Sequence, residues 1–177
     1  MIDSYPLSMT LMGSEYGSLD ALSTLIGERL AVPVIWQNPN APRSDRPFCV
    51  ANVLSDTGQA WAAIGAPDGE GMGSVTNHFT VTLSLSLHMD GSDPRVAVEK
   101  MRELRQDFDR PSLRLALHDA GWAFVRVLLE PQDMPEQVGT RWEYRAGMDL
   151  EFRIARQIMD EIGRVQTVIL DGQEISA

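Results

Sequence analysis

WEYRAGMDLEFRI, residues Trp142 to Ile154, is the stretch that decides how this chain folds. Its even positions are apolar or small: Trp142, Tyr144, Ala146, Met148, Leu150, Phe152 and Ile154. Its odd positions are Glu143, Arg145, Gly147, Asp149, Glu151 and Arg153, all charged except the glycine. Successive side chains of an extended strand point to opposite faces, so a period of two places each set on a face of its own. At about 3.3 Å per residue the run spans about 40 Å, whereas an ordinary strand has about five or six residues. One face is expected to cover a core and the other to present an ordered row of charges. The row holds no arrangement suited to catalysis.

A second alternation supports the same reading. Val75, Phe79, Val81, Leu83, Leu85 and Leu87 take odd positions, with Thr76, Thr80, Thr82, Ser84, Ser86 and His88 between them. This predicts a strand with one buried face and one hydroxyl-rich face. Shorter strands are expected at Val32–Trp36, Phe48–Leu54, Trp122–Leu129 and Val165–Leu170.

Helical stripes fill the intervals. Ser18 is expected to cap a helix carrying Leu19, Leu22, Leu25, Ile26 and Leu30 on one side. Asp93-Pro94 is a capping residue followed by proline at the first helical position, and Val96, Ala97, Met101, Leu104 and Phe108 follow at helical spacing. Asp109 is expected to cap a third helix, with Leu113, Ala116 and Leu117 inward and Gly121 closing it. The prolines of QNPNAPRSDRP, residues 37–47, predict an extended loop. A turn is expected at 55–58 and a mobile glycine-rich surface loop at 59–73, while 157–163 fits either a helical turn or irregular chain. The order of elements predicts an α+β fold: a mostly antiparallel sheet with long strands, packed by two or three helices. One domain over residues 1–177 is expected, with residues 1–17 as a flexible N-terminal tail.

Composition narrows the function. The 177 residues are 44% hydrophobic and 23% charged, with a net charge of −10 and a pI of about 4.7. Such a surface does not recommend itself to nucleic acid, although it could complement a basic partner. The single cysteine, Cys49, excludes an internal disulfide and fits a reducing compartment. No apolar run reaches membrane-spanning length, and Met1–Thr10 lacks the basic start of a secretory signal, so folding in a cytoplasm is expected.

Motifs of known chemistry are weak. Gly65, Gly69, Gly71 and Gly73 precede a strand and lack a following Lys-Ser or Lys-Thr pair, so a phosphate cradle is not expected. His78, His88 and His118 are too dispersed for a zinc site, and Cys49 belongs to no paired-cysteine pattern. His88 and Asp90 could share a strand face, but solvation explains them equally well. Asp107 with Asp109, and Glu130, Asp133 and Glu136, are better read as capping and solvated carboxylates than as an acid–base pair. No serine sits in a Gly-x-Ser-x-Gly elbow, and Cys49 reads as a small core residue. No cofactor or metal is expected. The charged face of the long strand is the best functional candidate, because ordered charges of mixed sign set partner choice and register.

The order of pieces resembles the phage neck and tail-terminator proteins, which close a tail or join it to the head. The resemblance is carried by Gln37-Asn38-Pro39-Asn40-Ala41-Pro42 after a short strand and by the Thr/Ser-Leu alternation from Thr80 to Leu87. It continues in Asp93-Pro94 opening a helix, and in Arg141-Trp142-Glu143-Tyr144-Arg145 leading to Asp149-Leu150-Glu151-Phe152. It covers most of residues 18–170. It implies a structural virion protein of the neck or tail end, with no catalytic residues, forming a homo-oligomeric ring that is commonly a hexamer. Such a ring stacks on adjacent connector and tail tube or sheath proteins, and DNA passes its lumen without specific binding. Assembly in the host bacterial cytoplasm follows. On this reading Trp36, Asn38, Pro39, Arg43 and Arg46, with Glu143, Arg145, Asp149, Glu151 and Arg153, are the expected subunit or partner interface. The alternatives are another tail-completion or baseplate-proximal adaptor, and a small ligand-binding domain or enzyme with a pocket between sheet and helices.

Overall fold

The computed structural model describes residues 19–37, 45–59, 61–89, 93, 95–138, 140–162, 167–170 and 173–176. The expected Ser18 cap, the tail 1–17, Asp90, Pro94 and most of the 37–47 loop lie outside the described residues.

The chain runs α1 (Leu19–Leu30), β1 (Val34–Trp36), β2 (Phe48–Gly58), β3 (Ala63–Ile64) and β4 (Met72–Met89). Next come α2 (Arg95–Asp107), α3 (Pro111–Asp119), β5 (Ala123–Asp133), β6 (Glu136–Val138) and β7 (Arg141–Glu161). β8 (Thr167–Leu170) and β9 (Gln173–Ser176) form an antiparallel two-stranded sheet of their own. The main sheet has the order β1-β2-β4-β7-β5, with β3 beside β4 and β6 beside β7. Among the described strands of this sheet, only the β1–β2 pair is parallel. The class is α+β, as the order of elements predicts.

The two long alternations pair with each other. β4 and β7 run antiparallel without a break from Met72↔Glu161 to Met89↔Tyr144, which is 18 residue pairs. In that register Val81 faces Phe152, Leu83 faces Leu150, Leu85 faces Met148 and Leu87 faces Ala146. Residues directly opposite share a face, so the two apolar sets merge into one floor. On it rest Leu22, Ile26 and Leu30 of α1, Ala97, Val98, Met101 and Leu104 of α2, and Leu113 and Leu117 of α3. Phe108, Phe124, Phe152 and Trp122 interlock within this layer, with Trp122 edge-on to Phe152 at 5.6 Å between centroids and Phe108 stacked on Phe124 at 4.8 Å. Lys100 Nζ donates to the carbonyl of Leu30 at 3.0 Å, tying α2 to the end of α1. After α3, Gly121 takes the left-handed conformation, with φ 83°, that lets the Trp122 N–H reach back to the Leu117 carbonyl.

Lengths decide what the helices leave bare. Eighteen antiparallel pairs extend about 60 Å, whereas the 13 residues of α2 extend about 20 Å. The helix-covered core therefore spans the ribbon from about Phe79 to Met89 and leaves its Met72–Glu161 end overhanging.

Several local expectations are corrected. β2 continues through the turn expected at 55–58, absorbing a bulge between Val53 and Ser55, because β4 runs on beside it as far as Phe79. The expected loop at 59–73 holds β3, paired with β4 at Thr76 and Val75, and a turn in which the Asp68 carboxylate accepts the N–H groups of Glu70 and Met72. β7 continues to Glu161 through the ambiguous stretch, because β4 supplies its ladder partners down to Met72. Pro131 lies within β5, an edge strand that tolerates a missing N–H. The cap of α3 is Arg110, without a side-chain cap bond, since the Asp109 carboxylate binds Arg105 and Arg114 instead. In α2 Val98 joins Ala97, Met101 and Leu104 in the core, whereas Val96 is only half-buried.

Cys49 is buried in the core, and burial pushes its thiol up from about 9 to about 12. Thiol reagents at pH 8 are expected to leave the native protein unlabelled and to label it on unfolding. Because the folded state holds this proton more tightly, the thiol's stability contribution is complete below pH 9 and is lost as pH rises toward 12. Phe152→Ala, at the crossing of ribbon and aromatic layer, is expected to cost about 3–5 kcal/mol in chemical denaturation.

Candidate functional site

The face of the sheet away from the helices carries the polar half of both alternations. Across β4 and β7, Ser84 stands opposite Asp149, Thr82 opposite Glu151 and Thr80 opposite Arg153. β2 adds Asn52 beside Ser84 and Ser55 beside Thr82, and β5 adds Arg126 beside Glu151. Arg126 Nη2 lies 3.2 Å from Glu151 Oε2, an exposed pair worth at most about 1 kcal/mol. Asp149 and Glu151 are half-buried and Arg153 is exposed. This arrangement offers hydrogen-bonding and charged groups in fixed order on a flat surface.

Toward the start of β7 the same face is closed over by the chain itself. Met134 Sδ lies where a side chain at Gly147 would stand, so a larger residue there would push that flexible side chain aside. Arg145 Nη1 reaches Glu136 Oε2 at 2.9 Å, and Arg46 Nη2 reaches Glu143 Oε1 at 2.5 Å. Phe48 stacks on His88, 4.6 Å between centroids and 14° between planes, and His88 Nε2 lies 3.4 Å from Ser86 Oγ. Phe48, His88, Glu143 and Arg145 thus form a small second cluster on the side of the sheet opposite the main core.

This geometry corrects the opening expectation at one end. From Ala146 to Ile154 the even residues are buried, as alternation predicts. At the start of the strand the burial is inverted: Trp142 is 60% exposed and Glu143 only 4%. β4 ends opposite Tyr144, so nothing brings helices over Trp142, while Arg46 neutralises Glu143 and allows it to be enclosed.

The ten expected interface residues therefore divide. Asp149, Glu151 and Arg153 stand together on the open polar face. Arg46, Glu143 and Arg145 belong to the closed cluster, where intramolecular pairs occupy them. Trp36 is half-buried against the core at the opposite edge of the sheet. Asn38, Pro39 and Arg43 lie outside the described residues. Sequence reasoning missed Arg126 and Glu136, whose roles follow from strand register, and the exposed Trp61, Ile64, Ile158, Met159 and Ile162. The adjacency of Ile158 and Met159 is the one local signal that could have revealed the last group. Among the described residues no group of three or more His, Cys, Asp or Glu is placed to hold a metal, and no helix is long and apolar enough to cross a membrane. The Asp109 carboxylate, with Glu130 beside it, holds the Arg105 guanidinium above its ordinary value.

Removing Arg46 takes a cation from a buried carboxylate, whereas removing Arg126 takes one from a half-buried carboxylate. Arg46→Ala is expected to cost about 3 kcal/mol and Arg126→Ala less than about 1 kcal/mol, compared by urea denaturation.

Comparison with known proteins completes the description. None of the curated proteins matches the chain. The family model described as phage neck terminator protein matches it over residues 18–175, which includes every helix of the fold and all of the main sheet. The chain therefore belongs to the phage neck terminator protein family, a family of structural phage proteins.

Proposed function

We propose that this protein forms a ring, six copies in the simplest case, that terminates the tail at the phage neck and joins it to the head. Family membership supports the neck role. The observation that carries the ring is the open polar face of the sheet: Ser84, Thr82 and Thr80 beside Asp149, Glu151 and Arg153, ordered and uncovered by helices. Repeated head-to-tail contact between unlike surfaces closes rings, and a mixed-sign row fixes their register. The interface on this reading is Asp149, Glu151 and Arg153, with Arg126 added and Trp36 at the other edge, together with Asn38, Pro39 and Arg43, which lie outside the described residues. Arg46, Glu143 and Arg145 then act indirectly, by holding the closed end of the face in shape.

On the same reading the protein is a single-domain subunit with no chemistry of its own, assembled in the host cytoplasm and carried in the virion. Its charge of −10 suits a lumen through which DNA slides without sticking. A tail-completion or baseplate-proximal adaptor would use the same contacts against other neighbours.

Light scattering after size-exclusion chromatography, with negative-stain microscopy, tests the ring. A multimer with central symmetry is expected, and a protein that stays monomeric both alone and on tails overturns the reading. Arg153→Glu is expected to shift stability by only about 0.5 kcal/mol. Like charges facing across an interface cost several kcal/mol, so the same variant is expected to weaken self-association at least tenfold. A variant that unfolds more readily but assembles normally contradicts this assignment.

A further inference from the structure

Past the last helix, the helix-side face of the ribbon carries Asn77 opposite Arg156 and then a small apolar group. Ile64 of β3, Val75 of β4 and Ile158 of β7 stand opposite one another in register, on the face that holds Val81 and Phe152 further along. Ile162, just after β7, lies over Gly73, where any side chain would collide with it. Ile64 is 67% exposed, Ile158 52% and Ile162 38%. Ile64, Ile158 and Ile162 are three of the ten large apolar side chains exposed among the described residues, and they lie together at this end of the ribbon. Single exposed apolar residues are ordinary, but a contiguous group marks a contact surface.

The patch is also separated from the core. Arg156 lays its guanidinium 4.3 Å from the Phe79 ring centroid and donates to Asp56 Oδ2 at 2.8 Å. That pair closes the helix-covered core at Phe79 and Ile154 and leaves the isoleucines outside it. The edge is open as well: β5 accompanies β7 only as far as Arg153, so among the described residues no strand lies outside Ile154–Glu161. An open edge with apolar side chains presents unpaired N–H and C=O groups together with a greasy surface.

Charge indicates what docks there. Residues 59–80 and 157–162 contain Asp68, Glu70, Asp160 and Glu161 and no lysine or arginine. Two such ends brought together would oppose carboxylate to carboxylate. Among the described residues no other exposed apolar group matches it. Leu115 and Leu128 stand singly on α3 and β5, and Met134 and Trp142 lie near Asp133 and Glu136.

We propose that this acidic, apolar end of the β3–β4–β7 ribbon docks onto a different virion protein, through an apolar surface bordered by lysine or arginine. The assignment rests on the neck reading and specifies which surface meets the adjacent ring. The test uses full-length protein and tails purified from particles made without it, the amount attached being measured after sedimentation. Ile158→Asp, and separately Asp160→Lys with Glu161→Lys, are expected to reduce attachment at least tenfold. Circular dichroism and self-association should match those of the unmodified protein. Raising salt from about 0.05 M to about 0.5 M, which shortens the screening length severalfold, is expected to weaken attachment of the unmodified protein more than that of the lysine variant. Variants that attach normally overturn the proposal. Variants that lose self-association also overturn it, since the end would then meet a second copy. If the unmodified protein assembles but ignores tails, the neck reading itself fails, and this assignment with it.

Discussion

The β4–β7 ladder is the constraint on which everything else in this fold depends. Both strands alternate, and each alternation has a preferred face. Eighteen pairs without a register shift bring the two preferences into agreement along the whole ribbon. A slip by one residue would turn Leu83 and Leu85 against Asp149 and Glu151 and expose the core layer. The helices have one place to lie because the ladder creates one apolar floor, and the polar face is ordered because the same ladder orders it.

The neighbouring strands show what happens where that constraint relaxes. β2 shifts register between Val53 and Ser55, and β5 shifts three times along β7. These strands have weaker alternation and lie toward the sheet edges, so bulges cost them less. The bulges also re-aim side chains: Arg126 is brought to Glu151 by one of them.

Much of this was legible in the amino-acid sequence. The two long alternations, the three helical stripes, the closing glycine at Gly121 and the buried Cys49 are local patterns, and each reports its own environment directly. Elements whose existence depends on a distant partner were not legible. β3 is only Ala63–Ile64 and exists because Thr76 and Val75 are beside it. The far end of β7 has no clear alternation after Arg156 and is a strand because β4 is long enough to meet it. At the other end, nothing near Glu143 announces that Arg46 would enclose it, since the two are brought together only by the return of the chain. The charged row was likewise legible as a row, but not as two parts. Its division into an open portion at Asp149–Arg153 and a self-occupied portion at Glu143–Arg145 depends on Met134 and Glu136 folding across Gly147.

The segment that separates β4 from β7 has a kinetic consequence. α2, α3, β5 and β6 all intervene between these two partner strands, so the main ladder closes a loop that contains much of the chain. Local helices form in microseconds, whereas pairing across a long loop must meet the entropy of closure before any rung rewards it. In the newly made polypeptide the helices are therefore expected to form before the ladder, and until the ladder closes, concentrated copies are open to exchanging or mispairing strands. The unbroken register and strongly two-sided composition of the ribbon favour the native partner over such competitors during that wait.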